Sequence, residues 1–322
     1  MFSAPFFIVG CGRSGTTLLR SMLDSHSLVG VPLESLFIID YLNARRPLPA
    51  LQRLLPKEYE LKEWGLSCTT ADLNNCRSAA QLVDRVHRLY LNRQQKQRWG
   101  QKTPRFVRYM RLLRTHFPGA RFVHVVRDPR AVASSLVRSE VHRSTWYHAA
   151  CRWKNDVAAG LDFERDHPDE VLRITYERLV NEPEVVLRSV CAFLDLDFQP
   201  AMLEYHQRAP DAYGSYYQGI HAGLAQPVSA RSVHAWQSRT DSSQIALVES
   251  ICGDLMDELG YARQTGGGLR PGWLPRSGFA ARRLVGLAAQ VRHYATHRTG
   301  YIPCVIRRKL ALRTLGPLPV NR

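Results

Sequence analysis

Between Ile8 and Leu23 the chain reads IVGCGRSGTTLLRSML. A short apolar run ends in glycines and passes into a helix-forming stretch. Four residues separate Gly10 from Gly15, the spacing of a phosphate-binding loop. At such a strand–turn–helix junction the first helical N–H groups lack carbonyl partners, and the helix dipole favours negative charge above them. A nucleoside-triphosphate site follows its second glycine with Lys and Ser/Thr, which hold the β/γ-phosphates and Mg²⁺. Here the pair is Thr16-Thr17, and a neutral hydroxyl cannot supply that charge. The loop suits an anion with less charge at this point. Arg13, together with a lysine from elsewhere, replaces the missing cation.

A second anion-binding pattern lies in FVHVVRDPRAVASSLVRS, residues 122–139. The alternating stretch ends at Val126, Arg127 follows on its edge, and Pro129 opens a helix. Ligands of open α/β sheets bind outside the carboxyl ends of the strands. Arg127 stands there, and Ser135 lies about two turns into the following helix. A guanidinium and a hydroxyl can grip a phosphate from two sides. The plainer alternative pairs Arg127 with Asp128.

The two segments together resemble the sulfotransferases that use 3′-phosphoadenosine-5′-phosphosulfate (PAPS) and release adenosine 3′,5′-bisphosphate (PAP). RSGTT is similar to their 5′-phosphosulfate loop, and Arg127-Asp128-Pro129-Arg130 with Ser135 to their 3′-phosphate motif. The variety found here resembles the bacterial and tyrosylprotein branches more than the cytosolic steroid and phenol enzymes. The resemblance runs from about residue 4 to Tyr261. Val31-Pro32-Leu33-Glu34-Ser35 resembles the segment that supplies a catalytic glutamate. Trp99-Gly100-Gln101-Lys102-Thr103-Pro104 resembles the one carrying a lysine. Tyr176-Glu177-Arg178-Leu179-Val180 resembles a stretch whose tyrosine lies near the adenine. The chain departs from the tyrosylprotein pattern before Trp236, where Ala235 takes a basic position; Arg231 or His234 is the substitute to look for.

The resemblance implies transfer of a sulfuryl group to an acceptor hydroxyl on a carbohydrate, peptide, lipid or natural product, without a metal. Ser14, Gly15, Thr16 and Thr17, with Arg13, then hold the 5′-phosphate. Arg127 and Ser135 hold the 3′-phosphate, and Tyr176 the adenine. Glu34 is the base for the hydroxyl, and Arg13 and Lys102 meet the charge on the oxygen bridging phosphorus and sulfur. A Glu34 that merely stabilises a helix dipole is the bland alternative. His26 is the rival base, more simply a helix-end residue bonded to backbone. His124 reads as core.

These groups need a scaffold of strands alternating with helices. Strands are expected at 4–9, 121–126 and 171–176. Helices are expected at 14–25, 34–43, 79–97, 104–116, from Pro129 to about Arg138, and at 145–165, 183–194 and 242–259. Residues 47–80 read as irregular, a lid or insertion, and 209–240 as loop-rich. The pattern predicts an α/β fold of the P-loop type, three layers around a mostly parallel sheet. Residues 1–265 form the PAPS-binding domain and 266–322 a basic C-terminal extension. Gly266-Gly267-Gly268 is the joint, with an amphipathic helix at 279–297.

Of 322 residues 45% are hydrophobic, enough for a sizeable core, and no apolar run is long enough to span a membrane. Phe6-Phe7-Ile8-Val9 lacks the basic flank and cleavage site of a signal peptide. The seven cysteines are scattered without a CxxC pair, which excludes a zinc site or disulfide framework and points to a reducing cytoplasm. The net charge is +16, and residues 266–322 carry eleven Lys/Arg and no Asp/Glu, leaving about +5 elsewhere. Such a tail suits an anionic membrane surface or a polyanion, with no specific nucleic acid implied; the bland alternative is a partly ordered appendage that packs on the core. The alternatives are a P-loop nucleotide or small-molecule kinase with a degenerate Walker A, and a non-enzymatic basic module.

Overall fold

Alternate residues of the first strand enter different cores. Phe7 and Val9 pack with Trp99, Phe106 and Phe122, while Phe6 and Ile8 pack on the opposite face with Leu19, Leu187 and Val190. That period of two marks a strand buried on both faces, and it organises the computed structural model, which describes residues 4–139, 141–207, 222–265 and 276–313. Five strands, β1 (Phe6–Gly10), β2 (Val29–Gly30), β3 (Arg98–Lys102), β4 (Arg121–Val126) and β5 (Val171–Thr175), form one sheet in the order β2-β3-β1-β4-β5. Every neighbouring pair is parallel, with Gly10 opposite Val125 and Ile8 opposite Lys102. Helices cover both faces, as the expected three layers require. A third core joins Val126 to Trp153 and Val157 of the helix Trp146–Asp166 and to Val248 and Cys252 of the helix Ser242–Glu258.

Several boundaries follow from capping chemistry. Asp128 accepts from the Arg130 amide ahead of the helix Pro129–Arg138, and Asp241 makes a capping box with Gln244. Other expectations need correction. Residues 47–80 are not irregular: they contain helices at Leu48–Leu54 and Tyr59–Glu63 and single turns at Leu55–Lys57 and Ala71–Leu73. The helix expected from residue 34 begins at Phe37, so Glu34 stands in the preceding loop. Tyr176 opens a helix, Tyr176–Asn181, rather than closing a strand. Strands β2 and β3 were not anticipated.

The C-terminal segment forms two helices, Arg276–His297 and Tyr301–Leu312, packed against the body. Arg308 is 1% exposed and reaches Asp40 at 2.8 Å, Glu58 at 2.6 Å and Glu60 at 3.2 Å. Arg298 meets Glu63 at 2.9 Å. Part of the excess positive charge thus neutralises carboxylates of the Asp40–Glu63 region. The expected joint at Gly266–Gly268 and part of the 209–240 loop lie outside the described residues.

Candidate active site

Each of the five strands delivers a polar side chain at its carboxyl end. The loop after β1 carries Arg13 to Thr17, the loop after β2 carries Glu34, β3 ends on Lys102, and Arg127 and Tyr176 directly follow β4 and β5. All but Ser14 and Lys102 line a cleft of about 660 Å³, and Lys102 lies just beneath it, against Glu34 and Thr17.

The loop after β1 is tightly turned. Ser14 donates its amide to the Cys11 carbonyl at 3.2 Å, and Arg13 takes a left-handed φ of 74°. Such a conformation is strained for a side chain with a Cβ, and strain of that kind gathers at binding sites. Gly15 caps the helix Thr16–Asp24 at φ 92°, and a Cβ there would stand 2.3 Å from the Tyr176 ring. Glycine therefore lets ring and loop meet. The helix has no side-chain cap and no acidic residue in its first turn, so its amides remain suited to an anion. Gly12, Arg13, Gly15, Thr16 and Thr17 line the cleft. Ser14 does not: its hydroxyl is buried without a partner, and only its backbone shapes the loop.

The second pattern joins the first directly. Arg13 Nε donates to Ser135 Oγ at 3.0 Å. Arg127 donates to the Arg13 carbonyl and the Ser232 carbonyl, both at 3.1 Å, and lies 4.0 Å over the Tyr176 ring. Its Nε is buried with no partner, a donor left for a ligand. Burial, and then the neighbouring Arg127, lowers Arg13's hold on its proton, a stress that an incoming anion relieves. The Arg127–Asp128 pair does not form. Asp128 binds Arg130 at 2.7 Å, Arg130 also binds Glu249 at 2.8 Å, and the Arg130 guanidinium lies over Trp236. Burial works against this cation, yet Asp128 and Glu249 hold its proton more tightly than usual. The second arginine of the motif is thus a structural brace.

Lys102 donates to Thr17 Oγ1 at 3.1 Å and makes a short contact with Glu34. Its side chain is 3% exposed against 39% for Glu34, so the ammonium is sealed beneath a carboxylate that opens into the cleft. His26 stands apart: its Nε2 donates to the Asp197 carbonyl at 2.9 Å and its Nδ1 accepts from the Leu28 amide. Burial drives His124 down to about 3, and it is neutral core.

The stretch before Trp236, which the sequence marks as a departure from the tyrosylprotein pattern, supplies the far wall. Tyr176 OH donates to Ser232 Oγ at 2.8 Å, and Ser232 Oγ donates to the Ser229 carbonyl at 2.7 Å. These two serines, rather than Arg231 or His234, complete the cleft beside Arg127; both basic residues are exposed away from it. Arg105, His142 and Arg152 also line it, as do Arg283 and Tyr294 of the helix Arg276–His297. Only Arg105, directly after the Lys102-Thr103-Pro104 run, had a nearby sequence signal. Among the described residues no group of three or more His, Cys, Asp or Glu side chains could hold a metal ion.

A family model described as "Sulfotransferase family" matches residues 5–200. An uncharacterized protein of Aquifex aeolicus (strain VF5) is 31% identical over 247 residues, 72% of this chain, which covers only 30% of that relative's length. The protein-tyrosine sulfotransferase A of Caenorhabditis elegans is 26% identical over 277 residues, 80% of this chain and 68% of the relative. Among solved structures, the sulfotransferase domain of the Synechococcus PCC 7002 olefin synthase superposes with a TM-score of 0.54 at 26% identity, covering 77% of this chain and 94% of that one.

Proposed function

This chain belongs to the sulfotransferase family, and from that premise we propose that it transfers a sulfuryl group from PAPS to the hydroxyl of an acceptor. The observation that carries the reading is the junction of two anion sites: Arg13 bonded to Ser135, and Arg127 bonded to the Arg13 carbonyl with a spare Nε. A donor with phosphates at both its 5′ and 3′ ends fits that pair. A triphosphate does not, because Thr16 stands where its lysine is needed. The kinase alternative has no comparable support.

PAPS, when bound, supplies an activated sulfuryl group. The chain's own residues do the rest. The loop amides from Gly12 to Thr17 and the Thr16 and Thr17 hydroxyls hold the 5′-phosphate, Arg127 and Ser135 the 3′-phosphate, and Tyr176 the adenine. Glu34 Oε takes the proton of the acceptor hydroxyl as its oxygen bonds to sulfur. Lys102 fixes that carboxylate and, with Arg13, offsets the charge left on the 5′-phosphate oxygen as its bond to sulfur breaks. Such work is positioning and charge stabilisation. We take residues 1–265 as the donor-binding domain and 266–322 as its basic extension. Exposed Leu284, Val285 and Val291 beside Arg282 and Arg292 support contact of that extension with an anionic membrane surface.

Incubating the protein with ³⁵S-PAPS and a cell extract tests the reading. Label should move to a discrete acceptor with wild type and not with Arg13→Ala. Equal labelling with and without the protein would refute it.

A further inference from the structure

Beyond Glu34 the cleft holds more positive charge than the donor uses. Arg105 follows β3 by three residues, and its guanidinium has no hydrogen-bond or ion-pair partner among the described residues. The nearby carboxylate is Asp156, already held by Arg108 and, at 3.5 Å, by Arg152. Arg283 approaches from the helix Arg276–His297. Its Nε is buried without a partner, and its Nη1 reaches only the His142 carbonyl at 3.5 Å. The His142 ring sits among Arg152, Arg13, Arg105 and Arg283, and burial followed by these four charges keeps it neutral. Burial, and then neighbouring arginines, also lowers Arg105 and Arg283.

Arg105 and Arg283, without carboxylate partners of their own and within reach of Arg152, meet like-charge repulsion and forgo hydration. An oxyanion that accepts from several of them reverses both penalties. The donor accounts for Arg13 and Arg127. It does not account for Arg105 and Arg283, which share their wall with Tyr294, and Tyr294 lies within electrostatic reach of Glu34 and Arg105. Arg105 and Arg152 lie within residues 5–200, the part matched to the family, and the C-terminal helix adds Arg283 to them.

Resting on the sulfotransferase reading, we infer that the acceptor already carries an oxyanion (a sulfate, phosphate ester or carboxylate), held by Arg105, Arg152 and Arg283 while its hydroxyl faces Glu34. The C-terminal helix thereby selects the substrate.

The test is calorimetric titration of inorganic sulfate into PAP-saturated protein, as wild type, Arg105→Gln and Arg283→Gln. Neither side chain neutralises a buried carboxylate, so both variants should fold and bind PAP within about twofold of wild type. Wild type should take up sulfate, and each variant should bind it at least about tenfold more weakly, the worth of one charge-assisted contact. No uptake by wild type overturns the inference. So does uptake unchanged in both variants, which places the ion at the sulfuryl position beside Arg13 and Lys102. Failure of wild type to bind PAP refutes the donor reading instead, a separate result. Once ³⁵S labelling has identified the acceptor, its unsulfated form should also be retained by an anion exchanger; a neutral acceptor contradicts the inference.

Discussion

Glu34 and Lys102 divide one contact into two tasks, the carboxylate open to the cleft and the ammonium sealed between it and Thr17. Glu34→Gln keeps the shape and removes the proposed base. Its kcat should fall by about 10²–10⁴ while PAP affinity is unchanged, measured by initial rates and calorimetry. In the proposed binding mode Arg127 holds the other end of the donor. Arg127→Met should weaken PAP more than adenosine 5′-monophosphate, which lacks the 3′-phosphate, so the ratio of the two Kd values reports the contact; equal weakening would mean that Arg127 acts only by bracing Arg13 and Ser232. At this scale the sequence was informative where chemistry is local. The glycine spacing and the missing lysine were visible in Gly10–Thr17, and Arg127 and Ser135 in one further stretch. The Tyr176–Ser232 bond and the places of Arg152 and Arg283 in the cleft were not legible, because each joins segments far apart in the chain through side chains that have ordinary surface roles elsewhere.

Among the elements, β4 and the helix Pro129–Arg138 were legible because apolar alternation meets a proline start with an aspartate cap. Strand β3 was not. Its sequence, RWGQK, has no apolar alternation, yet all five residues are buried. Tertiary partners absorb its polar groups: Gln101 bonds His87 at 2.9 Å and the Leu33 carbonyl at 3.1 Å, and Arg98 donates to the Ala4 carbonyl at 3.2 Å. The helix Tyr301–Leu312 tolerates Pro303 because a first-turn proline needs no N–H partner. That helix is fastened by Arg308. Arg308→Ala would leave Asp40, Glu58 and Glu60 buried around an absent cation and should cost about 3–5 kcal/mol, seen as a lower denaturant midpoint. Burial already pushes the Glu58 carboxyl up, and Arg308 opposes it. Without Arg308 the folded value rises further, so the folded variant binds a proton that the unfolded chain releases. Its deficit should therefore shrink as pH falls from about 8 toward 5; a deficit independent of pH would contradict this account of the cluster.

Across the whole molecule, the +16 charge is arranged rather than spread. Some of it fastens the C-terminal helices to acidic residues of the body, and some lines the cleft where anions would enter. The parallel sheet brings five strand ends together, and the C-terminal helix adds Arg283 and Tyr294 to the wall of the cleft. The sequence predicted the class of fold from alternating strands and helices and allowed an appendage packed on the core, but not what holds it, since Asp40, Glu58 and Glu60 lie some 250 residues earlier. No helix among the described residues is long and apolar enough to cross a membrane. A ligand that binds only the folded chain stabilises it by about 2.7 kcal/mol at a hundredfold excess over Kd, so saturating PAP should raise Tm and Arg127→Met should blunt the rise. The most direct measurement is calorimetric titration of the wild-type protein with PAP and, separately, with ATP–Mg²⁺. Saturable binding of PAP with far weaker uptake of ATP–Mg²⁺ is the result expected of a loop that carries Thr16 in place of lysine. Tight ATP–Mg²⁺ binding with none of PAP would contradict it.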